Sequence, residues 1–390
     1  MNIRTFLQTL PSRLARVTTG GKLIREVDGL RFLAIFPVVV QHLSERLERN
    51  TVIEFRHGTE YVVSNFITNR GFIGVYIFFV ISGFILGMPF AAHHLKAGKK
   101  VSLKSYFLRR LSRLEPPYIL VMMGMTILLV VLGYHTWKEI LPHFGASIFY
   151  LHSIIFHSWS IINPPVWTLE IEVQFYILAP LLAYLFFSIK GKFVRRATMV
   201  SFILGVMLLQ QYFGVMNTYT ILTILAHIQF FLIGFLVADI YLIEWGNGIR
   251  KHAVFNYISI LALVFAFWIW SWDYNLLSRL LFITSLFLLA YSSFRATWFN
   301  RFITFPWITA IGGMCYTIYL VHLPIIEFMI QFSKNLHLTD IFTINFLLQL
   351  LILTPILMVA SIIYFLLIEK PCMHKDWPQQ LRNYLTTKFR

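Results

Sequence analysis

The sequence predicts an all-α, polytopic membrane protein of about ten transmembrane helices, and three observations predict it. The first is composition. Of 390 residues, 58% are hydrophobic and only 13% charged, and mean hydropathy is +0.70, too apolar for a surface that faces water. The second is that the apolar residues fall in runs bounded by charge or proline, most of them near the roughly 20 residues that cross a bilayer core about 30 Å thick. The third is that basic residues occupy the short gaps between runs. A net charge of +16 would suggest nucleic acid in a soluble chain, but placed in these gaps it records topology, and no nucleic-acid partner is expected.

Residues 1–27 are polar and basic, without the apolar core of a signal peptide, so the first span is expected to remain uncleaved behind a cytoplasmic N-terminal segment. Apolar runs follow at 28–47, 71–92, 114–134, 167–189, 196–214, 219–243, 253–271, 276–294, 306–331 and 341–369. Arg4, Arg13, Arg16, Lys22 and Arg25 precede the first run, and Lys96, Lys99, Lys100, Lys104, Arg109, Arg110 and Arg113 follow the second. Later clusters are Lys190, Lys192, Arg195 and Arg196, then Arg250 and Lys251, then Arg295 and Arg301, then Lys370 and Lys375. Each falls after an even number of runs, which places both termini of a multi-pass membrane protein in the cytoplasm. Residues 144–158 are apolar, but counting them as a span would turn Arg195 and Arg196 outward. They are therefore expected to form a re-entrant or interfacial segment walling a cavity. The membrane domain occupies 28–371 as one unit, and 372–390 form a cytoplasmic tail. Cys315 and Cys372 lack metal-type spacing, so neither a disulfide framework nor a metal site is expected.

Four segments carry polar groups where a bilayer makes them costly. In the first run, VDGLRFLAIFPVVVQH, Asp28 can cap the helix, and Arg31 and His42 share a face about 16 Å apart along the axis. Ionisable groups in a span usually mark a pathway or site, although Arg31 snorkelling to the interface and His42 bonding a neighbouring helix would also account for them. The fourth run opens PPVWTLEIEVQFY, with Glu170 and Glu172 on nearly opposite helix faces, so at most one is expected to face a cavity. A preference of acids for a helix N-terminus suits Glu170 better than the deeper Glu172. Arg110 and Arg113 lie one turn apart, a spacing at which two guanidinium groups can hold phosphates, although membrane anchoring alone would place them there. In the ninth run, Tyr316, Tyr319 and His322 form one polar stripe; a lone buried histidine is more often structural than catalytic, but its alignment with two tyrosines favours a lined cavity.

These pieces together resemble the acyltransferase-3 family of membrane O-acyltransferases. The resemblance rests on Arg31-x10-His42, FFVISGFIL (78–86), Arg110-x-x-Arg113, VWTLEIEVQFY (166–176), YTIYLVHLP (316–324) and IEKP (368–371), in the family's order from about residue 25 to 371. Glu115 stands where an apolar residue is usual, Thr168 replaces the commoner serine, and Glu170 is an additional acid. The resemblance implies transfer of an acyl group, most often acetyl, from cytoplasmic acyl-CoA to a hydroxyl of an extracytoplasmic or lipid-linked carbohydrate. It assigns His42 and Glu172 to catalysis, Arg31, Arg110 and Arg113 to the donor, and Trp167, Tyr316, Tyr319 and His322 to the acceptor. Buried charge and a re-entrant segment also fit a secondary transporter or a flippase of a glycan or lipid intermediate. Against that, no matched Gly/Pro-broken helices recur in two halves of the chain.

Overall fold

A computed structural model describes residues 9–17, 23–51, 56, 58–246, 248–271, 275–374, 376–379 and 386. Arg4, Lys22 and Lys375 of the expected basic clusters lie outside these residues. Every regular element among them is helical: α1 (Arg25–Asn50), α2 (Gly58–Thr68), α3 (Phe72–Lys96), α4 (Leu103–Val131), α5 (Trp137–Ile148), α6 (His152–Phe156), α7 (Trp167–Phe187), α8 (Lys192–Tyr212), α9 (Ile228–Glu244), α10 (Val254–Ile269), α11 (Leu276–Arg295), α12 (Trp298–Ile303), α13 (Pro306–Gly313), α14 (Cys315–Ser333) and α15 (Phe342–Tyr364). A π-helical turn, Phe365–Glu369, continues α15.

Eight helical segments are long and apolar enough to cross a membrane: Arg25–Asn50, Gly58–Lys96, Leu103–Val131, Pro164–Phe187, Lys192–Tyr212, Leu276–Arg295, Cys315–Ser333 and Phe342–Cys372. The protein is thus polytopic. The other two runs that the sequence offers as spans fold as α9, of 17 residues, and α10, of 16, both short of the roughly 20 residues a bilayer core requires. The run at 219–243 begins instead with successive 3-10 turns through Ile224–Ala226, because Thr220 and Thr223 turn their hydroxyls onto backbone carbonyls and offer the chain an alternative to a helix. Residues 144–158 fold as the end of α5, a turn and the single-turn α6, none long enough to span. Large apolar side chains face outward on the spanning helices, among them Val131, Phe332 and Leu351, each at least two-thirds exposed, as a lipid-facing surface requires.

The chain divides into two compact units. The first comprises Met1–Gly71, Lys104–Trp137 and Thr304–Arg390, and the second Phe72–Leu103 and Lys138–Ile303. In the first, α1 packs against α13 and α14. A Cβ on Gly312 would lie 1.8 Å from the carbonyl oxygen of Asp28, so glycine is what lets the two backbones touch. Leu43 and Leu47 of α1 share a buried cluster with Ile326 and Ile330 of α14 and Phe342 and Phe346 of α15. Glu60 of α2 caps α15, accepting from the backbone N–H of Phe342 and Thr343 and from the Thr343 hydroxyl.

In the second unit α3 and α9 cross backbone to backbone. A Cβ on Gly83 would lie 2.0 Å from the Phe231 carbonyl oxygen, and one on Gly234 would lie 2.2 Å from that of Val80. Gly83→Val is expected to destabilise the protein by at least about 1–3 kcal/mol, because a backbone cannot yield as a side chain can. Thermal unfolding in detergent should show the loss. Gly205→Ala, at a position with open space around it, should leave the midpoint unchanged.

Candidate functional site

The sequence-predicted residues of the first unit gather at two levels of α1. At its N-terminal end the structure corrects one expectation. Asp28 does not cap the helix, whose N-cap is Ile24. It lies inside the first turn, fully buried, and its Oδ1 takes the guanidinium groups of both Arg31 and Arg16 at 2.8 Å. Arg16, in the segment before the span, was not singled out by its sequence context, which is simply basic. Burial, and then the neighbouring charge of Arg31, lower its pKa to about 10, so it remains protonated at neutral pH.

Arg113 of α4 enters the same cluster. Its guanidinium lies 3.8 Å from Oε1 of Glu369, a fully buried carboxylate in the IEKP motif. The other oxygen of Glu369 accepts from the backbone N–H and the hydroxyl of Thr317, at 3.1 and 2.6 Å. The π-helical turn aims this acid inward; such turns insert one extra residue and re-aim a side chain, often at functional sites. Arg31 and Arg110 both lie close enough to bear on Arg113 electrostatically. Three guanidinium groups, of Arg16, Arg31 and Arg113, thus bind two carboxylates, Asp28 and Glu369, and Arg110 is near enough to act on Arg113. Positive charge is in excess. The Arg113 Nε is buried and meets no acceptor among the described residues, a donor left unmade where an anionic oxygen would satisfy it. The cluster is chemically suited to phosphate.

Three turns along α1, His42 meets His322 of α14. His42 Nδ1 and His322 Nε2 are 2.7 Å apart, with the rings stacked at 4.9 Å between centroids. His322 is fully buried, and its Nδ1 lies 3.0 Å from the carbonyl oxygen of Ile318 and 2.8 Å from that of Tyr319. His42 is only partly buried, and no described residue hydrogen-bonds its Nε2. One turn further on, Arg46 forms an ion pair with Glu327 at 2.6 Å, a second polar tie between α1 and α14. The stripe read from the sequence is divided. Tyr316 gives its hydroxyl to the carbonyl of Leu114 in α4 at 2.8 Å, whereas Tyr319 is buried beside His322.

The second unit holds the remaining residues. The two acids of α7 point apart, as their spacing requires. Glu170 is fully buried, and its Oε2 accepts from the backbone N–H of Ser153 at 2.8 Å, tying down the α5–α6 segment. Glu172 is half-buried, and its Oε1 accepts from Ser82 Oγ and Tyr176 OH, both at 2.6 Å. The FFVISGFIL and VWTLEIEVQFY motifs therefore meet at Glu172, while the additional acid Glu170 serves the backbone. Trp167 is buried with its ring 5.7 Å from that of His227.

Comparison with known proteins follows the same motifs. A family profile described as an acyltransferase domain matches residues 24–366. The chain is 26% identical over 335 residues to "Putative O-acetyltransferase SACOL0978" of Staphylococcus aureus (strain COL), the match covering 78% of this chain and 50% of that protein. It is 25% identical over 329 residues to "O-acetyltransferase OatA" of Staphylococcus aureus (strain NCTC 8325 / PS 47), with the same coverage. The chain thus spans about half the length of the curated relatives it matches. No solved structure matches it.

Proposed function

Because the chain belongs to the acyltransferase-3 family, a profile of which covers residues 24–366, we propose that it is a membrane O-acyltransferase moving an acetyl group from acetyl-CoA to a carbohydrate or glycolipid hydroxyl. The observation that carries the proposal is the pairing, on one helix, of an arginine-rich cluster suited to phosphate with a polar imidazole about 16 Å further along the axis. In this reading the basic end of α1 faces the cytoplasm. Arg31, Arg110 and Arg113, joined by Arg16, hold the phosphates of CoA, and the pantetheine arm runs toward His42.

His42 acts first as a base and then as an acid. Its free ring nitrogen takes the hydroxyl proton as the acceptor oxygen attacks the thioester carbonyl carbon. The C–O bond forms, the C–S bond breaks, and the CoA thiolate leaves with the proton that His42 returns. The products are an O-acetyl ester and CoA thiol, with no net change in the enzyme. Glu172 keeps the catalytic assignment that its motif carries, its Oε1 held by two hydroxyl donors. Trp167 and Tyr319 keep the acceptor assignment that the family resemblance carries.

Arg113→Ala is expected to raise the KM for acetyl-CoA about 10- to 150-fold, the range expected for losing a charged hydrogen bond. Arg113→Lys should recover only part of this, since an ammonium lacks the planar fork. Removing Arg113 also strips the buried Glu369 of its counter-charge, so Arg113→Ala/Glu369→Gln is the variant that separates binding from stability. The proposal as a whole is tested by incubating purified protein with radiolabelled acetyl-CoA and a panel of glycans. Acceptor-dependent release of CoA thiol is expected. A transporter or flippase would release none.

A further inference from the structure

We infer that His322 is a positioning residue that fixes the tautomer of His42, so that Nε2 of His42, and not Nδ1, is the nitrogen that takes the acceptor proton. The inference rests on the acyl-transfer reading above and adds to it the identity of the reacting atom.

Carbonyl oxygens only accept, so His322 Nδ1, facing two of them at 3.0 and 2.8 Å, must carry a hydrogen. A neutral imidazole has one N–H, so His322 Nε2 bears a lone pair. That lone pair faces His42 Nδ1 at 2.7 Å, and a hydrogen bond forms only if His42 Nδ1 carries the hydrogen. The lone pair of His42 then resides on Nε2, the nitrogen that no described residue engages. The order carbonyl, His322, His42 has the logic of a hydrogen-bonded orienter behind a catalytic imidazole. Two differences from a carboxylate orienter follow. A neutral orienter adds no negative charge to the middle of a bilayer, where a carboxylate would be costly. It can also share the positive charge that His42 gains when Nε2 is protonated, since the Nδ1 hydrogen already lies between two imidazole nitrogens and can shift toward His322 Nε2.

Burial makes the device rigid. His322 is fully buried, its two carbonyls belong to its own helix, and α1 and α14 are locked on the far side by the Arg46–Glu327 pair. Reversing the His42 tautomer would require His322 to give up both carbonyls, leaving buried acceptors opposite a bare nitrogen.

The test uses the full-length protein in detergent or liposomes. His322→Leu is expected to lower kcat about 10²–10⁴-fold, the scale for presenting the wrong imidazole tautomer, with the KM for acetyl-CoA within about twofold of wild type. His322→Gln, whose side-chain oxygen can accept from His42 Nδ1, should recover to within about tenfold of wild type, and a purely structural role would not give that ordering. Nitrogen-15 signals of His42 in the wild-type protein, assigned by difference against His42→Ala, should report an Nδ1–H imidazole. An Nε2–H imidazole there would overturn the inference whatever the variants do. So would a folded His322→Gln as defective as His322→Leu, or full activity in His322→Leu. Failure of the acyl-transfer reading looks different: His42→Ala would keep its activity, or wild-type protein would release no CoA thiol.

Discussion

His42→Ala is expected to lower acyl transfer about 10²–10⁴-fold, the contribution of a positioned general base, while leaving the folded protein in place. Both halves of that expectation come from the geometry. The imidazole is half-buried, and its hydrogen bond and ring stacking are to His322, which keeps its own carbonyl partners. The neighbouring contacts of α1, its close approach to α13 at Gly312, its leucines in the buried cluster and the Arg46–Glu327 pair, do not involve the ring. Yield and melting temperature should therefore stay near wild type while CoA thiol release collapses. The KM for the donor should change little, because the phosphate cluster lies at the other end of α1. A variant inactive only because it is misfolded would lose both together.

Asp239→Ala is expected to carry the largest stability penalty, about 3–5 kcal/mol, the cost of removing one partner of a buried ion pair. Asp239 is fully buried in α9 and binds Arg195 and, at 2.6 Å, Arg196. Arg195 is itself almost completely buried, and among the described residues it reaches, beyond Asp239, only the carbonyls of Ile189 and Lys190. Without the carboxylate a guanidinium is stranded among backbone dipoles. Loss of folded protein on thermal unfolding in detergent is the readout, and Asp239→Asn should be milder because one acceptor survives. Glu244 also binds Arg196 and Lys192, but it is exposed, and Glu244→Ala should barely move the midpoint.

The fold was largely legible because hydrophobic length is a strong signal in a membrane protein. Every expected span contains a helix, eight of the ten in segments long enough to cross, and the apolar stretch at 144–158 does break into pieces too short to cross. What escaped was whatever depends on local hydrogen bonding. The threonines near 218–223 shorten α9, and the chain breaks at Met314 between α13 and α14, so that the run at 306–331 is two helices. The extra residue of the turn at 365–369 has no hydrophobic signature. Arg195 illustrates a different miss: as part of a basic cluster it reads as topology, and only the lone acid Asp239 in an apolar run hinted that one of those arginines is consumed inside the protein.

The candidate residues could be named from the sequence, but the contacts they make could not. Spacing placed Arg31 and His42 on one helix face and sent Glu170 and Glu172 to opposite faces. It could not reveal that residues 280 positions apart, His42 and His322, meet nitrogen to nitrogen, or that Arg113 finds Glu369. Those contacts are made by helices far apart in sequence, and no periodicity within either helix encodes the partner. The same limit explains why Tyr316, Tyr319 and His322 looked like one cavity wall. In three dimensions Tyr316 serves α4 and His322 serves α1.

The central claim is that a thioester donor held by the arginine cluster reacts at the imidazole of His42. A single-turnover experiment tests it most directly: purified protein is mixed with radiolabelled acetyl-CoA and an accepting glycan, and CoA thiol and O-acetyl ester are followed together. Thiol and ester should appear in equal amounts in the wild type and about 10²–10⁴-fold more slowly in His42→Ala, with Arg113→Ala slowed only below donor saturation. Ester formation in His42→Ala at the wild-type rate would contradict the account.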